Sequence, residues 1–538
     1  MAKQTKSMIG SMTVLGVAGI ACKLIGVLFS VPLTWIIGAR GLSVFQGVFP
    51  TYNLLLTVSS AGLPVAVSRM VSQCVAKDNP RGAKGVLKAA LYLLTALGAI
   101  CTLLMLAGNG LLVQTVGQPL TQKGFVVIAP CILVVCIMSA LRGFMQGQQN
   151  MVPTAVSQLV EQVGKVLISL PLAYLGYHHG LTLGTEAEAA NQAAAWGAAG
   201  ALLGITIVET LALCYMILVY FKKRAEFDAL PQLAEPEAVT LKGTAGTLLR
   251  IAVPITISAC IVPLAQFVDS ALLVKRMLAA GVSQADAETM YGIFSGLVIR
   301  LINIPTALAL SISMSLVPAV SAARALNDEE GVRRQMSTGL RFAFLVGFPC
   351  SIGMSLLAEP IMRFFYEGSL SDAELQLGGS LLTMSSLTVV LFTVVQATSA
   401  ILQGLGKQRI PMYTLVVGVA CKIVLNYVLV GTPGIGIHGG PIASIVCYSM
   451  SMLPNLYFCM KHGRMRFDVM GLLVRPAGAT LCMGIVVWLM RTFLPWGRLM
   501  TLLEIAVGVA VYGGAAVLLK AVNKADIEPL LRRRRRKA

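Results

Sequence analysis

The sequence predicts an all-α polytopic membrane protein with about 14 transmembrane helices, arranged as two six-helix lobes and two extra C-terminal helices. Three observations support this fold class. The mean hydropathy is +0.79, with 56% hydrophobic and only 12% charged residues, whereas about a quarter of the residues of an average soluble domain are charged. Long apolar segments follow one another along the whole chain, and one set of short motifs occurs twice.

Each apolar segment is long enough to form a helix that crosses a hydrocarbon core about 30 Å thick. The longest polar stretch, near 221–243, has the length of a loop rather than of a soluble domain. The predicted spans cover residues 12–38, 44–74, 85–107, 123–145, 153–177, 192–220, 246–273, 291–321, 338–358, 374–402, 410–431, 439–460, 470–494 and 499–521.

The lysine and arginine residues are concentrated in every second loop. If the N-terminus is cytoplasmic, that side carries the basic residues of 77–84, Arg142, 222–224, 324–334, 407–409, 461–466 and 532–537. The opposite loops carry only Arg40, Lys275, Arg276, Arg363 and Arg498. By the positive-inside rule we expect a multi-pass protein of the bacterial cytoplasmic membrane with both termini in the cytoplasm.

Two groups of motifs occur in both halves of the chain. Segment 47–68 begins with Gly-Val-Phe and ends with Pro-Val-Ala-Val-Ser, and segment 292–321 begins with Gly-Ile-Phe and ends with Pro-Ala-Val-Ser. A Gln-Gly pair followed by a proline and a lysine spans 146–165 and again 403–422. The repeated unit is six spans long, so both copies should enter the membrane from the same side, as in many duplicated transporters.

The repeat divides the chain into five predicted segments. They are an N-terminal six-helix lobe (1–222), a cytoplasmic linker (223–245), a C-terminal six-helix lobe (246–461), two extra transmembrane helices (462–522) and a basic cytoplasmic tail (523–538). The run Arg532 to Lys537 in the tail favours contact with anionic membrane lipids, and we expect no nucleic-acid partner.

Charged side chains at bilayer depth are the main functional candidates, because each costs about 2.5 to 3.5 kcal/mol on insertion scales and usually faces a cavity or a partner. Lys23, Arg300 and Lys422 have no acidic residue within one turn of their own predicted helices. Asn303 and Asn426 lie one turn from Arg300 and Lys422 and suit a hydrated wall. We interpret these five residues as ligands of an anion. Bonds to backbone carbonyls, or to an acid on another helix, are the structural alternative.

Four further residues are secondary candidates. Glu161 and Lys165 are one turn apart in an order that favours an ion pair. Glu209, on the next span, lies at a similar depth, so a cross-helix pair with Lys165 is equally open. Arg69 lies near the end of a span, where its side chain can reach the interface.

The cysteine and histidine residues indicate neither a metal nor a cofactor. The 12 cysteines occur singly and fit no metal or redox spacing, which is typical of small buried hydrophobic residues. His178 and His179 are adjacent, but no cysteine or acidic ligand lies at a suitable spacing. We therefore expect no metal site, no cofactor and no catalytic residue, and no nucleotide-binding motif suggests direct use of ATP.

Several runs resemble a known family. Arg-Gly-Phe-Met-Gln-Gly at 142–147, Pro-Thr-Ala at 153–155 and Glu-Gln at 161–162 are similar to the stage V sporulation protein B group of polysaccharide exporters. Arg-Leu at 300–301, with Pro305, Pro318 and Pro349, is similar to helices of the lipid II flippases. Both groups belong to the multidrug/oligosaccharidyl-lipid/polysaccharide exporter superfamily.

The resemblance implies a flippase fold with a cationic central cavity and alternating access. Arg300 falls on a position where lipid II flippases have a cavity arginine needed for transport, and Lys23 falls where they have another basic residue. Leu56 and Thr57 stand where those flippases have paired arginines, which favours the sporulation or polysaccharide branch. The last two spans form a lipid-tail groove in the flippases.

The function that this resemblance implies is export of an undecaprenyl-pyrophosphate-linked sugar, such as a lipid II-like peptidoglycan precursor or a polysaccharide unit, by a monomer that is not an enzyme. The expected partners are this lipid-linked anionic saccharide and anionic membrane lipids. A cation-coupled multidrug exporter of the same superfamily is the first alternative. A membrane glycosyltransferase or polymerase of lipid-linked sugars, and a scaffold for envelope assembly, are further alternatives.

Overall fold

The structure, a computed structural model, describes residues 2–77, 79–183, 185–228, 241–465, 467–493 and 497–521. Over these residues the chain forms α-helices with short 3-10 and π-helical segments and no β-strand, which confirms the predicted all-α polytopic membrane fold. Twelve helical stretches in the described part are long and apolar enough to cross a membrane. The number of about 14 spans stays a prediction.

Contacts divide the chain into two compact units, Met1–Gly292 (unit 1) and Ile293–Ala538 (unit 2). Unit 1 contains α1 (Ala2–Ser60), α2 (Leu63–Ala76), α3 (Pro80–Ala107), α4 (Asn109–Val116), α5 (Gln122–Gly147), α6 (Val152–Gly164), α7 (Leu170–Leu181), α8 (Glu186–Asp228), α9 (Leu241–Ala279) and α10 (Gln284–Tyr291). A π-helical segment, Lys165–Ser169, joins α6 to α7.

Unit 2 contains the remaining helices. They are α11 (Ile299–Ala325), α12 (Glu329–Leu356), α13 (Ala358–Tyr366), α14 (Asp372–Gly404), α15 (Arg409–Val430), α16 (Gly439–Gly463), α17 (Arg475–Phe493) and α18 (Arg498–Leu518). Two π-helical segments precede helices here: Gly292–Val298 leads into α11 and Met470–Val474 leads into α17.

Helix α1 contains the first two predicted spans, separated by a kink at Gly38. The backbone of Gly38 has φ 66° and ψ −178°, outside the helical region. A positive φ of this size is rare for residues with a side chain and is readily adopted by glycine. The kink therefore ends the first span at the residue where the apolar pattern predicts its end.

Helix α9 belongs to unit 1 by its packing, since it lies against α1, α2 and α3. The sequence repeat assigns the same helix to the predicted segment 246–461. Both ends of the predicted linker 223–245 are helical, because α8 continues to Asp228 and α9 begins at Leu241. Residues 229–240 of that linker and the whole tail 523–538 lie outside the described residues.

The two units repeat the same helix cap. Asn79 precedes α3 and accepts a hydrogen bond of 2.7 Å from the backbone N–H of Gly82. Asp328 precedes α12 and accepts one of 2.7 Å from the N–H of Gly331. Asparagine and aspartate side chains stabilise a helix start by satisfying a backbone donor that has no partner within the helix. Helices α3 and α12 therefore begin in the same way.

Each unit is built around one central helix. Among the candidate spans, the one containing α5 and the one formed by α14 have the largest shares of buried residues in their apolar parts, 61% and 67%. A Cβ atom at Gly147, at the end of α5, would lie 2.8 Å from the Ser68 carbonyl oxygen and 2.6 Å from Val71. At Gly404, at the end of α14, it would lie 3.1 Å from the Val317 carbonyl oxygen and 2.8 Å from Val320. Glycine lets the same close helix contact form in both units.

The two C-terminal helices form a hairpin that packs on α12, with α18 also reaching α13. The hydroxyl of Tyr512 donates a 2.7 Å hydrogen bond to the Leu345 carbonyl oxygen. Arg491 on α17 donates to the carbonyl oxygen of Leu356 at the end of α12. These bonds fix the hairpin to the middle and to the C-terminal end of α12.

Replacing Gly147 with alanine is expected to destabilise unit 1 by about 1 to 3 kcal/mol, because the added methyl group overpacks the contact between α5 and α2. Thermal unfolding of the purified protein in detergent measures the effect. Gly514→Ala on α18 is the matched control, since a Cβ there has no neighbour within 4 Å. An equal melting temperature in both variants would contradict the proposed role of Gly147.

Candidate functional site

Four charged side chains meet inside unit 1, and we call them the charged cluster: Arg142, Glu161, Lys165 and Glu209. Arg142 on α5 forms an ion pair with Glu161 on α6. The Lys165 Nζ atom lies 3.6 Å from a carboxylate oxygen of Glu209 on α8. Glu161 and Glu209 are only 8% and 6% exposed. Buried charges of both signs therefore neutralise one another across three helices.

Arg142 lies inside α5, near its end, whereas the sequence analysis counted it with the basic residues of the cytoplasmic side. Its side chain turns back along the hairpin between α5 and α6, where it is 15% exposed. The Nε and Nη2 atoms donate to the Ser157 hydroxyl at 3.0 and 2.7 Å. The connection between these helices is only a few residues long, so residues near its two ends become neighbours.

The predicted cross-helix pair between Lys165 and Glu209 is observed. Gly164 permits the approach of the two helices, because a Cβ there would lie 2.7 Å from the Val208 side chain of α8. Lys165 also begins the π-helical segment Lys165–Ser169. Short π-helical segments inside α-helices often occur at functional positions.

A second polar region lies in unit 2 around Arg300. This residue is half-buried near the start of α11, two residues beyond the π-helical segment Gly292–Val298. It interacts electrostatically with Tyr366, which ends α13 and is 1% exposed. The guanidinium therefore lies within electrostatic range of a buried aromatic hydroxyl.

Helix α13 is fixed by ion pairs outside the candidate spans. The Arg363 Nε and Nη1 atoms lie 3.2 Å from Glu359 and 2.9 Å from Asp372. Hydrogen bonds to Asp372 and Glu359 raise the pKa of Arg363. Arg498, the first residue of α18, lies 3.5 Å from Glu367, the residue after Tyr366. The segment that carries Tyr366 is thus fixed from both sides.

The other primary candidates in unit 2 lie on different helices. Lys422 and Asn426 are one turn apart on α15, the lysine half-buried and the asparagine 1% exposed. Helix α15 packs mainly on α16, where Thr414 donates a 2.8 Å hydrogen bond to Asn455. Asn303, one turn beyond Arg300 on α11, is exposed.

Arg69 and Lys23 are the remaining candidates in unit 1. Arg69 on α2 is exposed, in agreement with a side chain that reaches the interface. Lys23 lies on α1, but its side chain is outside the described residues. Their predicted roles remain predictions.

A buried ion pair on the other side of unit 1 was not predicted. Arg40 follows the kink of α1, and its Nε atom lies 3.1 Å from Glu288 on α10, a residue that is 1% exposed. Arg40 also donates to Asn191 on α8. Gln284 donates to Glu288 at 2.7 Å and to the Gly117 carbonyl oxygen at 3.0 Å. The sequence separation of Arg40 and Glu288 leaves no local pattern from which to infer this pair.

Known proteins resemble the chain over nearly its whole length. The family model described as "Polysaccharide biosynthesis protein" matches residues 9–324, and the MatE model matches residues 292–428. Lipid II flippase MurJ of Bacillus subtilis is 27% identical over 95% of this chain and 94% of its own. Stage V sporulation protein B of the same organism is 27% identical over 83% of this chain and 82% of its own.

Solved structures show the same fold. A lipid II flippase MurJ in an inward closed conformation has a TM-score of 0.71 at 14% identity, covering 94% of this chain and 99% of that one. An inward-facing multidrug resistance MATE family transporter has a TM-score of 0.65 at 16% identity, covering 84% of this chain and 99% of that one. These named relatives are flippases and transporters, not enzymes. The chain belongs to the polysaccharide biosynthesis protein family, within the multidrug/oligosaccharidyl-lipid/polysaccharide exporter superfamily to which its sequence motifs point.

Proposed function

We propose that this protein is a flippase that moves an undecaprenyl-pyrophosphate-linked saccharide from the inner to the outer leaflet of the cytoplasmic membrane by alternating access. The observation that carries the proposal is the similarity to a lipid II flippase and a sporulation protein over most of the chain. A peptidoglycan precursor or a polysaccharide unit is the proposed cargo. Both termini are proposed to lie in the cytoplasm.

Arg300 is the proposed phosphate ligand with the best structural support. Its guanidinium is half-buried and interacts electrostatically with the buried Tyr366. A guanidinium matches the oxygens of a phosphate with two parallel hydrogen bonds, which are stronger in a site of low dielectric. Lys23 is proposed as a second phosphate ligand, on the basis of its position in the sequence motif alone.

Lys422, Asn426 and Asn303 are proposed to contact the saccharide or the phosphates. Lys422 occupies the position in unit 2 that Lys165 occupies in unit 1, at the same offset of 257 residues as the repeated Gln-Gly pair. In unit 1 Lys165 pairs with Glu209 on α8, and Glu161 lies one turn before it. In unit 2 the position equivalent to Glu161 is occupied by Gly418. The segment around Lys422 therefore has fewer acids than its counterpart in unit 1, which suits an anionic ligand.

A cation-coupled multidrug exporter is the second candidate function. The match of the MatE model to residues 292–428 favours it, as does the fold shared with a multidrug transporter. Binding of cationic drugs needs acidic residues in the cavity, and the candidate residues of unit 2 are basic or neutral. Efflux of a cationic dye from cells that express the protein, without rescue of a flippase-depleted strain, would favour this function over ours.

Replacing Arg300 with alanine is expected to lower the flipping rate about tenfold or more, since a charge-assisted hydrogen bond contributes about 1.5 to 3 kcal/mol. The assay is rescue of a flippase-depleted bacterium, combined with labelling of lipid-linked precursor at the outer face. Arg324→Ala, which removes an exposed arginine from the same helix α11, is the matched control. Unchanged labelling with an Arg300→Ala protein that inserts normally would reject the role of Arg300.

An imposed membrane potential is expected to change the flipping rate of the wild-type protein. A charge that crosses the membrane gains about 2.3 kcal/mol per 100 mV, so an interior-negative potential should accelerate outward movement of an anion. Proteoliposomes with potassium gradients and valinomycin, loaded with a lipid-linked pyrophosphate saccharide, provide the measurement. Equal rates at both polarities would show that no net negative charge moves outward in the limiting step.

A further inference from the structure

A cavity of about 450 Å³ opens at one end of unit 2, where α11 ends, α12 begins and α16 ends. Its lining includes Val332 of α12 and Gly463 of α16, both buried. A Cβ atom at Gly463 would lie 2.3 Å from the Met336 side chain, so the end of α16 packs directly on α12. Small-molecule sites typically have volumes of about 300 to 1,000 Å³. The cavity therefore has the size of a ligand site and is built on a packed part of the unit.

The end of α16 brings three nitrogen-bearing side chains to this cavity: Lys461, His462 and Arg464. Arg464 has φ 47°, in the left-handed region, so the chain turns there. The Arg464 Nη1 atom lies 2.9 Å from the Glu329 carboxylate of α12. The His462 ring stacks on Phe458 with ring centroids 6.0 Å apart and an interplanar angle of 15°. These two contacts hold the end of α16 in a defined conformation.

The carboxylates that line the cavity are already engaged. Asp328 accepts the backbone N–H of Gly331 as the cap of α12, and Glu329 pairs with Arg464. Lys461, by contrast, forms no ion pair with any residue that the structure describes. Its ammonium group therefore remains available to an anion that enters the cavity.

We propose that this cavity binds a phosphate group, with Lys461 as its first ligand and Arg464 as its second. Ammonium and guanidinium groups form strong charge-assisted hydrogen bonds with phosphate oxygens. The side-chain amide of Asn327, which also lines the cavity, offers a further donor. None of the residues proposed for the cargo is among the described residues that line the cavity. The site is thus independent of the function proposed above.

The phosphate can reach the cavity from two sources, a membrane lipid or the water phase. Lys461 continues a stripe of α16 on which Leu453 and Tyr457 are 59% and 55% exposed, and residues four apart share one face of a helix. The candidate span Gly436–Gly463 ends beside Lys461. A phospholipid lying along this stripe would place its head group at the cavity, as basic pockets between transmembrane helices do for anionic lipids. A soluble phosphate compound would bind the same ligands from the water side.

Unit 1 has basic residues at the equivalent place but no comparable space. There the start of α3 and the ends of α5 and α8 line a cavity of about 10 Å³, roughly the space of one water molecule. Phe144 and Tyr220 are among its lining residues, with ring centroids 6.0 Å apart. Lys223, near the end of α8, lines the same small cavity and is exposed. It is therefore the matched control for Lys461.

The first experiment titrates inorganic phosphate into the full-length protein in phosphatidylcholine nanodiscs and follows binding by phosphorus NMR. We expect saturable binding that weakens as the ionic strength rises, because exposed charges are screened over about 8 Å at physiological ionic strength. Lys461→Gln should lower the affinity about fivefold, and Lys461→Gln combined with Arg464→Gln about tenfold or more. Lys223→Gln should bind phosphate like the wild type.

The second experiment identifies the source of the phosphate. The titration is repeated in phosphatidylglycerol nanodiscs, and native mass spectrometry measures phosphatidylglycerol retained by protein extracted from them. Loss of inorganic phosphate binding, with phosphatidylglycerol retained by wild type and Lys223→Gln but not by the double variant, would assign the site to a lipid head group. Unchanged phosphate binding would assign it to a soluble phosphate compound. A wild type that neither binds phosphate nor retains more phosphatidylglycerol than the double variant would overturn the proposal.

Glu329→Gln keeps the test valid if the double variant fails to fold. This change removes an exposed carboxylate from the cavity and releases Arg464 from its ion pair. Phosphate should then bind about threefold to fivefold more tightly, because a nearby negative charge no longer opposes it. Unchanged or weaker phosphate binding by folded Glu329→Gln protein would contradict the proposed site.

Discussion

A charged side chain in a hydrocarbon core has no water around it, and this constraint governs where the ionisable residues of both units lie. In unit 1 the constraint is met within the protein. Arg142 and Lys165 pair with acids on other helices, so the same contacts that neutralise the charges also tie α5, α6 and α8 together. In unit 2 Arg300 interacts electrostatically with Tyr366, and Lys422 lies one turn from Asn426 on α15.

The two units keep the same short-range backbone contacts and differ in their charges. The caps at Asn79 and Asp328 have equal hydrogen-bond lengths, and Gly147 and Gly404 pack against a carbonyl oxygen and a valine in the same spacing. Contacts of this kind depend on small residues and backbone geometry, not on the charge of distant side chains. A duplicated scaffold can therefore be retained while its buried polar residues diverge.

The sequence was sufficient for the helical segments, the fold class and the superfamily, because hydropathy and short motifs are local signals. It left the pair of Lys165 with Glu209 open beside a pair of Lys165 with Glu161. It did not show the contacts of Arg142 with Ser157 and Glu161, because hydropathy carries no information about which side chains meet across a hairpin. The pair of Arg40 with Glu288 joins residues far apart in sequence, and the π-helical segments have no simple sequence signature.

The kink at Gly38 gives α1 a mechanical property. Lys23 lies 15 residues before Gly38 on the same helix, a distance of about 22 Å at a rise of roughly 1.5 Å per residue. A Cβ at Gly38 would meet nothing within 4 Å, so the joint is not filled by side chains. A small rotation of the N-terminal part of α1 about Gly38 would move the backbone of Lys23 by several ångströms.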